Sequence, residues 1–112
     1  MEGPLPVKIE IVATGPLHER PTQALKKAAK RAMDDTAAYA LGLLRARTPV
    51  RTGLMRGSWY VESRGWDQFY FDNSVPYAQF VDQRVLITSR SRPEIQNHLA
   101  ESLATSIERD LN

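Results

Sequence analysis

The chain has 112 residues, 42% of them hydrophobic and 25% charged, with a formal net charge of +2 and no cysteine. These values fit one globular domain, residues 1–112, with a modest core, and exclude disulfides and thiolate metal sites. No apolar run reaches the length of a membrane span and no signal-peptide pattern opens the chain, so a cytoplasmic protein with no membrane partner is expected.

Val7, Ile9 and Ile11 alternate with Lys8 and Glu10, which predicts a strand. Gly15-Pro16 ends it. Arg20 to Ala46 then reads as one long helix, with Pro21 suited to its first turn. Leu25, Ala28, Ala29, Ala32, Thr36, Tyr39, Ala40 and Leu43 share one stripe at helical spacing. At ~1.5 Å per residue the helix spans ~40 Å, more than a compact domain with a radius of gyration of ~13 Å accommodates. Its second half is unusual. No charge occurs from Thr36 to Leu44, and Met33, Ala37, Leu41 and Leu44 form a second apolar strip beside the first. One sheet covers one face of a helix, so this strip needs another cover. Either another segment of the same chain or a neighbouring subunit supplies it.

The helix runs into "RTPVRTGLMRGSW", Arg47 to Trp59. Pro49 pushes Thr48 toward an extended conformation, so the helix stops at or before Arg47. Thr52-Gly53 is a turn signal, with Gly53 free to take positive φ. The expected role of this stretch is geometric: Gly53 turns the chain into a strand, and Arg56 and Ser58 tie the turn to the sheet. Arg47 and Arg51 either reach a neighbouring subunit or stay in solvent.

Ser58–Ser63 and Gln68–Asn73 then form an antiparallel hairpin about Arg64-Gly65-Trp66-Asp67. Trp59 and Val61 share one face and Tyr60 the other; Phe69 and Phe71 oppose Tyr70 in the same way. Aromatics on both faces predict a sheet covered on both sides. Tyr60, Tyr70, Tyr77 and Phe80 therefore join Met33, Ala37, Leu41, Leu44, Arg47 and Arg51 as candidate subunit-interface residues. Pro76 to Arg84 reads as an irregular or one-turn segment, and Val85–Thr88 as a short strand. Ser91-Arg92-Pro93-Glu94 has capping-box spacing and opens a last helix carrying Ile95, Leu99, Leu103, Ile107 and Leu111. The result is an α+β protein: a small antiparallel sheet of about four strands packed with one long helix and a C-terminal helix.

Catalytic chemistry finds little support, and no enzyme activity, cofactor or metal is expected. His18 and His98 are far apart, and neither has a neighbour at metal-ligand spacing. Asp34 and Asp35 point about 100° apart on a helix and cannot serve one site. No phosphate-binding glycine loop is present. The alternative function is a small RNA- or DNA-binding domain. "RGWDQFYF", Arg64 to Phe71, is close to a basic-glycine-aromatic strand motif, but Gln68 stands where a second stacking aromatic belongs. Lys26, Lys27, Lys30 and Arg31 form the strongest basic patch, read as a solvated face in preference to a phosphate contact. Charge is unevenly divided. Residues 1–56 carry ten Lys/Arg and five Asp/Glu, whereas residues 57–112 carry five and eight. A positive end and a negative end suit either nucleic acid or head-to-tail contact between copies.

At "RTPVRTGLMRGS" and "SVPYAQFVD" the chain resembles the tail-completion, or head–tail joining (neck), proteins of long-tailed double-stranded DNA phages and prophages. Pro49, Val50, Thr52, Gly53, Arg56 and Ser58 match the first motif of that family, with Met55 at its leucine position. Val75, Tyr77, Ala78, Phe80, Val81 and Asp82 match the second. The likeness covers residues 20 to 85. Arg51 departs from a position that is often acidic, Asp82 replaces the more usual glutamate, and Arg84 stands where glycine is common. The resemblance implies a virion structural protein without a catalytic site. It implies rings, often hexameric, that meet neck or connector proteins and tail-tube or tail-terminator proteins. DNA would pass through the lumen without specific binding. Assembly would take place in the host cytoplasm, and the finished protein would reside in the virion.

Overall fold

A computed structural model describes residues 7–12, 22–50, 53–65 and 67–111. The predicted break at Gly15-Pro16, Pro21, His18, Arg51 and Thr52 lie outside the described residues. Strand β1 (Val7–Val12) is followed by helix α1 (Gln23–Arg47), a single helical turn α2 (Leu54–Gly57), strands β2 (Tyr60–Ser63) and β3 (Gln68–Asn73), and helices α3 (Ala78–Val85) and α4 (Ile87–Leu111).

The sheet has the order β1-β3-β2 and is antiparallel throughout. Ile9 and Val61 both pair with Phe71, and Ile11 with Phe69, so the alternation read in each strand places these side chains on one face. That face is the core: Ile9, Ile11, Phe69 and Phe71 are buried, with the two phenylalanine rings edge to face at 5.3 Å. The other face carries Lys8, Glu10, Tyr60, Glu62, Tyr70 and Asp72. Tyr70 is buried there, under Lys8 Nζ at 4.2 Å and the Arg64 guanidinium at 5.0 Å from its ring centre. Cationic side chains with apolar stems thus cover an aromatic for which the sequence predicts a cover on that face.

Helices α1 and α4 are each 25 residues long, ~37 Å at ~1.5 Å per residue, and pack as an antiparallel pair against the sheet. They stretch the molecule to 48 × 30 × 18 Å. Ala28, Ala29, Ala32 and Ala40 are fully buried, and such small side chains let α4 approach closely. From α4, Ile87, Ser91, Ile95, Leu99 and Leu103 enter the same core at four-residue spacing. Met33 and Leu44 of the second apolar strip are buried too, and Ala37 and Leu41 are half-buried against the core. The excess apolar surface of α1 is therefore covered mostly from within the chain.

Two expectations are corrected near the C-terminus. The described residues form three strands, not about four, because Val85–Thr88 is a joint between helices. Leu86 takes a left-handed conformation (φ 56°), and its N–H donates to the Asp82 carbonyl at 2.7 Å. Helix α4 begins at Ile87 instead of Ser91, because Asp82 caps it from α3. Asp82 Oδ1 accepts from the Thr88 N–H and Oδ2 from the Thr88 hydroxyl, both at 2.8 Å. Pro93 consequently lies inside α4, where it costs the helix one backbone hydrogen bond.

Candidate assembly surface

The joint between α1 and β2 holds the first motif. Thr48 closes α1 in an extended conformation (φ −83°, ψ 127°), as the following proline requires. Its N–H donates to the Leu44 and Arg45 carbonyls, and its hydroxyl donates to the Leu44 carbonyl at 2.6 Å. Gly53 turns the chain at φ 74° and ψ −22° and leads into α2. A Cβ there would meet no atom within 4 Å, so conformation and not space demands glycine. Met55 points inward and is buried.

The expected tie from Arg56 and Ser58 to the sheet is not what forms. Arg56 Nε donates to the Arg45 carbonyl at 2.9 Å, back onto the end of α1. Ser58 Oγ donates to the Leu54 carbonyl at 2.6 Å, within the turn itself. Two residues outside the motif reading fasten the joint to its surroundings. Trp59 Nε1 donates to Thr48 Oγ1 at 2.8 Å, and Asn73 Nδ2, from the end of β3, donates to the Met55 carbonyl at 2.8 Å. Asn73 Oδ1 then accepts from the Val75 N–H at 3.3 Å, so the same side chain sets the entry to the second motif. All three side chains, Thr48, Trp59 and Asn73, are buried.

The candidate interface residues divide sharply. Met33, Leu44 and Tyr70 are buried inside the subunit, and Ala37, Leu41 and Tyr77 are half-buried. Arg47 is engaged within the chain: Nη1 donates to Ser91 Oγ at 3.1 Å and Nη2 to Glu94 Oε1 at 2.7 Å, joining α1 to α4. Arg51 lies outside the described residues. Phe80 is 60% exposed and Tyr60 45%. The Tyr60 hydroxyl donates to Asp72 Oδ2 at 3.1 Å. Partial burial, with the Asp72 carboxylate beside it, holds that hydroxyl above the usual tyrosine pKa range.

Leu54 and Leu86, not singled out by the sequence reading, are exposed as well, at 57% and 52%, and Val50 of the motif at 62%. Adjacent helical residues point about 100° apart, and here Leu54 faces outward while its neighbour Met55 turns into the core. The six large hydrophobics exposed among the described residues are Tyr39, Val50, Leu54, Tyr60, Phe80 and Leu86. Three of them, Val50, Leu54 and Phe80, fall inside the two motifs.

A polar seam joins the long helices elsewhere. Ser102 Oγ donates to Asp35 Oδ2 at 2.8 Å, while His98 Nδ1 lies 3.2 Å from Thr36 Oγ1 and 3.4 Å from Ser102 Oγ. The His98 ring stacks on Tyr39 with centres 4.1 Å apart. Serine, histidine and acid are present, but the serine proton is directed at the carboxylate. Helical N–H groups bonded along α4 also offer no oxyanion donors. The seam reads as a link between helices.

A family model described as "Bacteriophage HK97-gp10, putative tail-component" (HK97-gp10-like) matches residues 17–83, more than half of the chain. The chain belongs to this family. No curated protein and no solved structure matches it significantly. The HK97-gp10-like match spans α1, the joint, the hairpin and most of α3, and so contains both motifs and all three of their exposed apolar side chains. It agrees with the resemblance to tail-completion and head–tail joining proteins and gives the chain a structural role in a phage tail.

Proposed function

We propose that this HK97-gp10-like protein completes the tail, or joins it to the neck, as a ring of identical copies such as a hexamer. The observation that carries this reading is the outward placement of Val50, Leu54 and Phe80 from motifs whose other described side chains mostly hold the subunit together. A large apolar side chain left in water forgoes ~1.5–3 kcal/mol that burial would supply. In a ring the contacts are heterologous, so one patch of each subunit meets a different patch of the next. The joint pair Val50 and Leu54 supplies one such patch, and Phe80 with Leu86 supplies the other. Connector or neck proteins and tail-tube or tail-terminator proteins would meet the two ends of the ring. DNA would pass through its lumen. Assembly would occur in the host cytoplasm and the product would reside in the virion.

Complementation tests this. A phage lacking the chain should accumulate heads and tails that do not become infectious particles, and purified protein should restore infectivity. The Leu54→Ser/Phe80→Ser double variant, although folded, should fail to restore it. Restoration by that variant at the native level would contradict the proposal.

A further inference from the structure

The sheet ends in two edges. Strands β1 and β2 each pair only with β3 among the described residues. Tyr60, Glu62 and Ser63 of β2 are exposed, as are Lys8 and Glu10 of β1. Ladder hydrogen bonds of an antiparallel pair alternate along each strand. The Arg64 N–H donates to the Gln68 carbonyl at 2.7 Å, so Tyr60, Glu62 and Arg64 turn their backbone groups toward β3, and Val61 and Ser63 turn theirs outward. On β1 the Gln96 side chain donates to the Val12 carbonyl at 2.9 Å, which puts the outward backbone groups on Lys8, Glu10 and Val12. A groove of about 380 Å³ lies beside that edge, between Lys8, Ile9 and Glu10 and the start of α4 at Thr88, Ser89 and Arg92.

The charges on these edges select a partner. Strands β1 and β2 both run antiparallel to β3 and hence parallel to each other. A rotation that carries the sheet on into a next copy therefore sets β2 parallel to that copy's β1. The two faces of the sheet must match, so the allowed registers differ by steps of two residues. In one of them Glu62 lies beside Lys8 of the next copy, Arg64 beside its Glu10, and Val61 beside its Val7. Shifted by two either way, Glu62 meets Glu10 or Arg64 meets Lys8, and like charges directly opposite repel. Edge charges commonly block strand addition, and only this register turns them into attraction. Glu10 and Glu62 form no ion pair among the described residues. Lys8 and Arg64 lie over the Tyr70 ring, yet each carries several N–H donors, which leaves some for a carboxylate. We infer that β2 of one copy adds in parallel to β1 of the next in this register, so that one sheet continues from subunit to subunit. The Lys8 N–H then donates to the Val61 carbonyl, the Ser63 N–H to the Lys8 carbonyl and the Glu10 N–H to the Ser63 carbonyl. The inference rests on the ring proposed above. The joint bearing Val50 and Leu54 leads straight into β2, and α3, bearing Phe80, packs beside β1, so strand edges and apolar patches pair in the same head-to-tail sense.

Light scattering of the full chain, mixed with the neck and tail proteins of the same phage, tests the inference. Ser63→Pro removes an outward N–H and no ladder bond within the subunit, so it should fold and lose the ring mass. Ser63→Thr, which keeps the N–H, should retain the ring mass. Glu62→Lys sets two cations side by side and should lose the ring mass, and Glu62→Lys/Lys8→Glu, which restores an opposite pair, should regain it. That rescue reads the pairing whether or not the proline variant folds. Native chain that stays single with these partners would overturn the ring and this inference with it. A native ring that Glu62→Lys leaves intact, or a loss that the double variant does not repair, would overturn the strand pairing alone. So would Ser63→Pro subunits that keep the ring mass but release a tail protein, which would give the edge to a strand of that protein.

Discussion

The Trp59 indole donates to Thr48 Oγ1 at 2.8 Å, and that hydroxyl in turn donates to the Leu44 carbonyl at 2.6 Å. One buried threonine therefore ends α1 and fixes the residue that leads into β2. Thr48→Val keeps the shape but leaves the indole N–H, buried with Trp59 at 3% exposure, without an acceptor. It should lower stability by ~1–3 kcal/mol in urea unfolding, because an unpaired buried donor loses its full solvation. Thr48→Ser, which keeps the hydroxyl, should cost less than ~1 kcal/mol. Equal losses would show that packing, and not the hydrogen-bond chain, holds the joint.

Gly53 separates conformation from space. Its φ of 74° disfavours every β-branched residue, while a Cβ would touch nothing. Gly53→Asn should therefore cost under ~1 kcal/mol, since asparagine tolerates the left-handed region, and Gly53→Val ~1–2 kcal/mol or more. Thermal unfolding of the two variants side by side measures the difference. A valine variant as stable as the asparagine one would contradict the turn geometry.

Asp82 holds α3 and α4 at a fixed angle by accepting from both the backbone and the hydroxyl of Thr88. Asp82→Ala should lower stability by ~1–2 kcal/mol, the usual loss for a helix cap. It should also speed amide hydrogen exchange in the first turns of α4 more than in α1. Uniform acceleration across both helices would mean that the cap acts only through global stability.

Arg47 distinguishes a residue used within the subunit from one used between subunits. It donates to Ser91 Oγ, which is fully buried. Arg47→Met should therefore destabilise the isolated subunit by ~1 kcal/mol, whereas Leu54→Ser and Phe80→Ser should stay within ~0.5 kcal/mol of native stability. Denaturant unfolding of the unassembled protein reads this directly. The reverse ranking would put Arg47 at the interface and the two hydrophobics in the core.

Local signals carried most of the fold. The alternation of Val7, Ile9 and Ile11, the stop at Pro49 and the hairpin about Gly65 were legible because each depends on its own neighbours. The start of α4 was not, because its cap is the side chain of Asp82 in another helix, and Ser91 and Pro93 gave a stronger local start signal. The cover over Met33 and Leu44 was equally hidden. Periodicity shows that a helix has two apolar strips, but not that α4 of the same chain lies on one of them. The seam of Asp35, Thr36, Tyr39, His98 and Ser102 joins positions far apart in the sequence, 62 residues for Thr36 and His98 and 67 for Asp35 and Ser102, and nothing local marks that pairing. Of the exposed side chains, Phe80 was legible as a surface candidate, whereas Val50 read only as part of the turn motif. Leu54 was hidden by its buried neighbour Met55.

Light scattering of the purified chain, mixed with the neck and tail proteins of the same phage, gives the most decisive reading. Native subunits should appear as a closed multiple of the subunit mass within the mixed complex, and Leu54→Ser/Phe80→Ser subunits should remain at the mass of one chain. Native subunits that stay single beside every neck and tail partner, or a double variant that assembles as fully as the native chain, would contradict the assignment of these side chains to a ring.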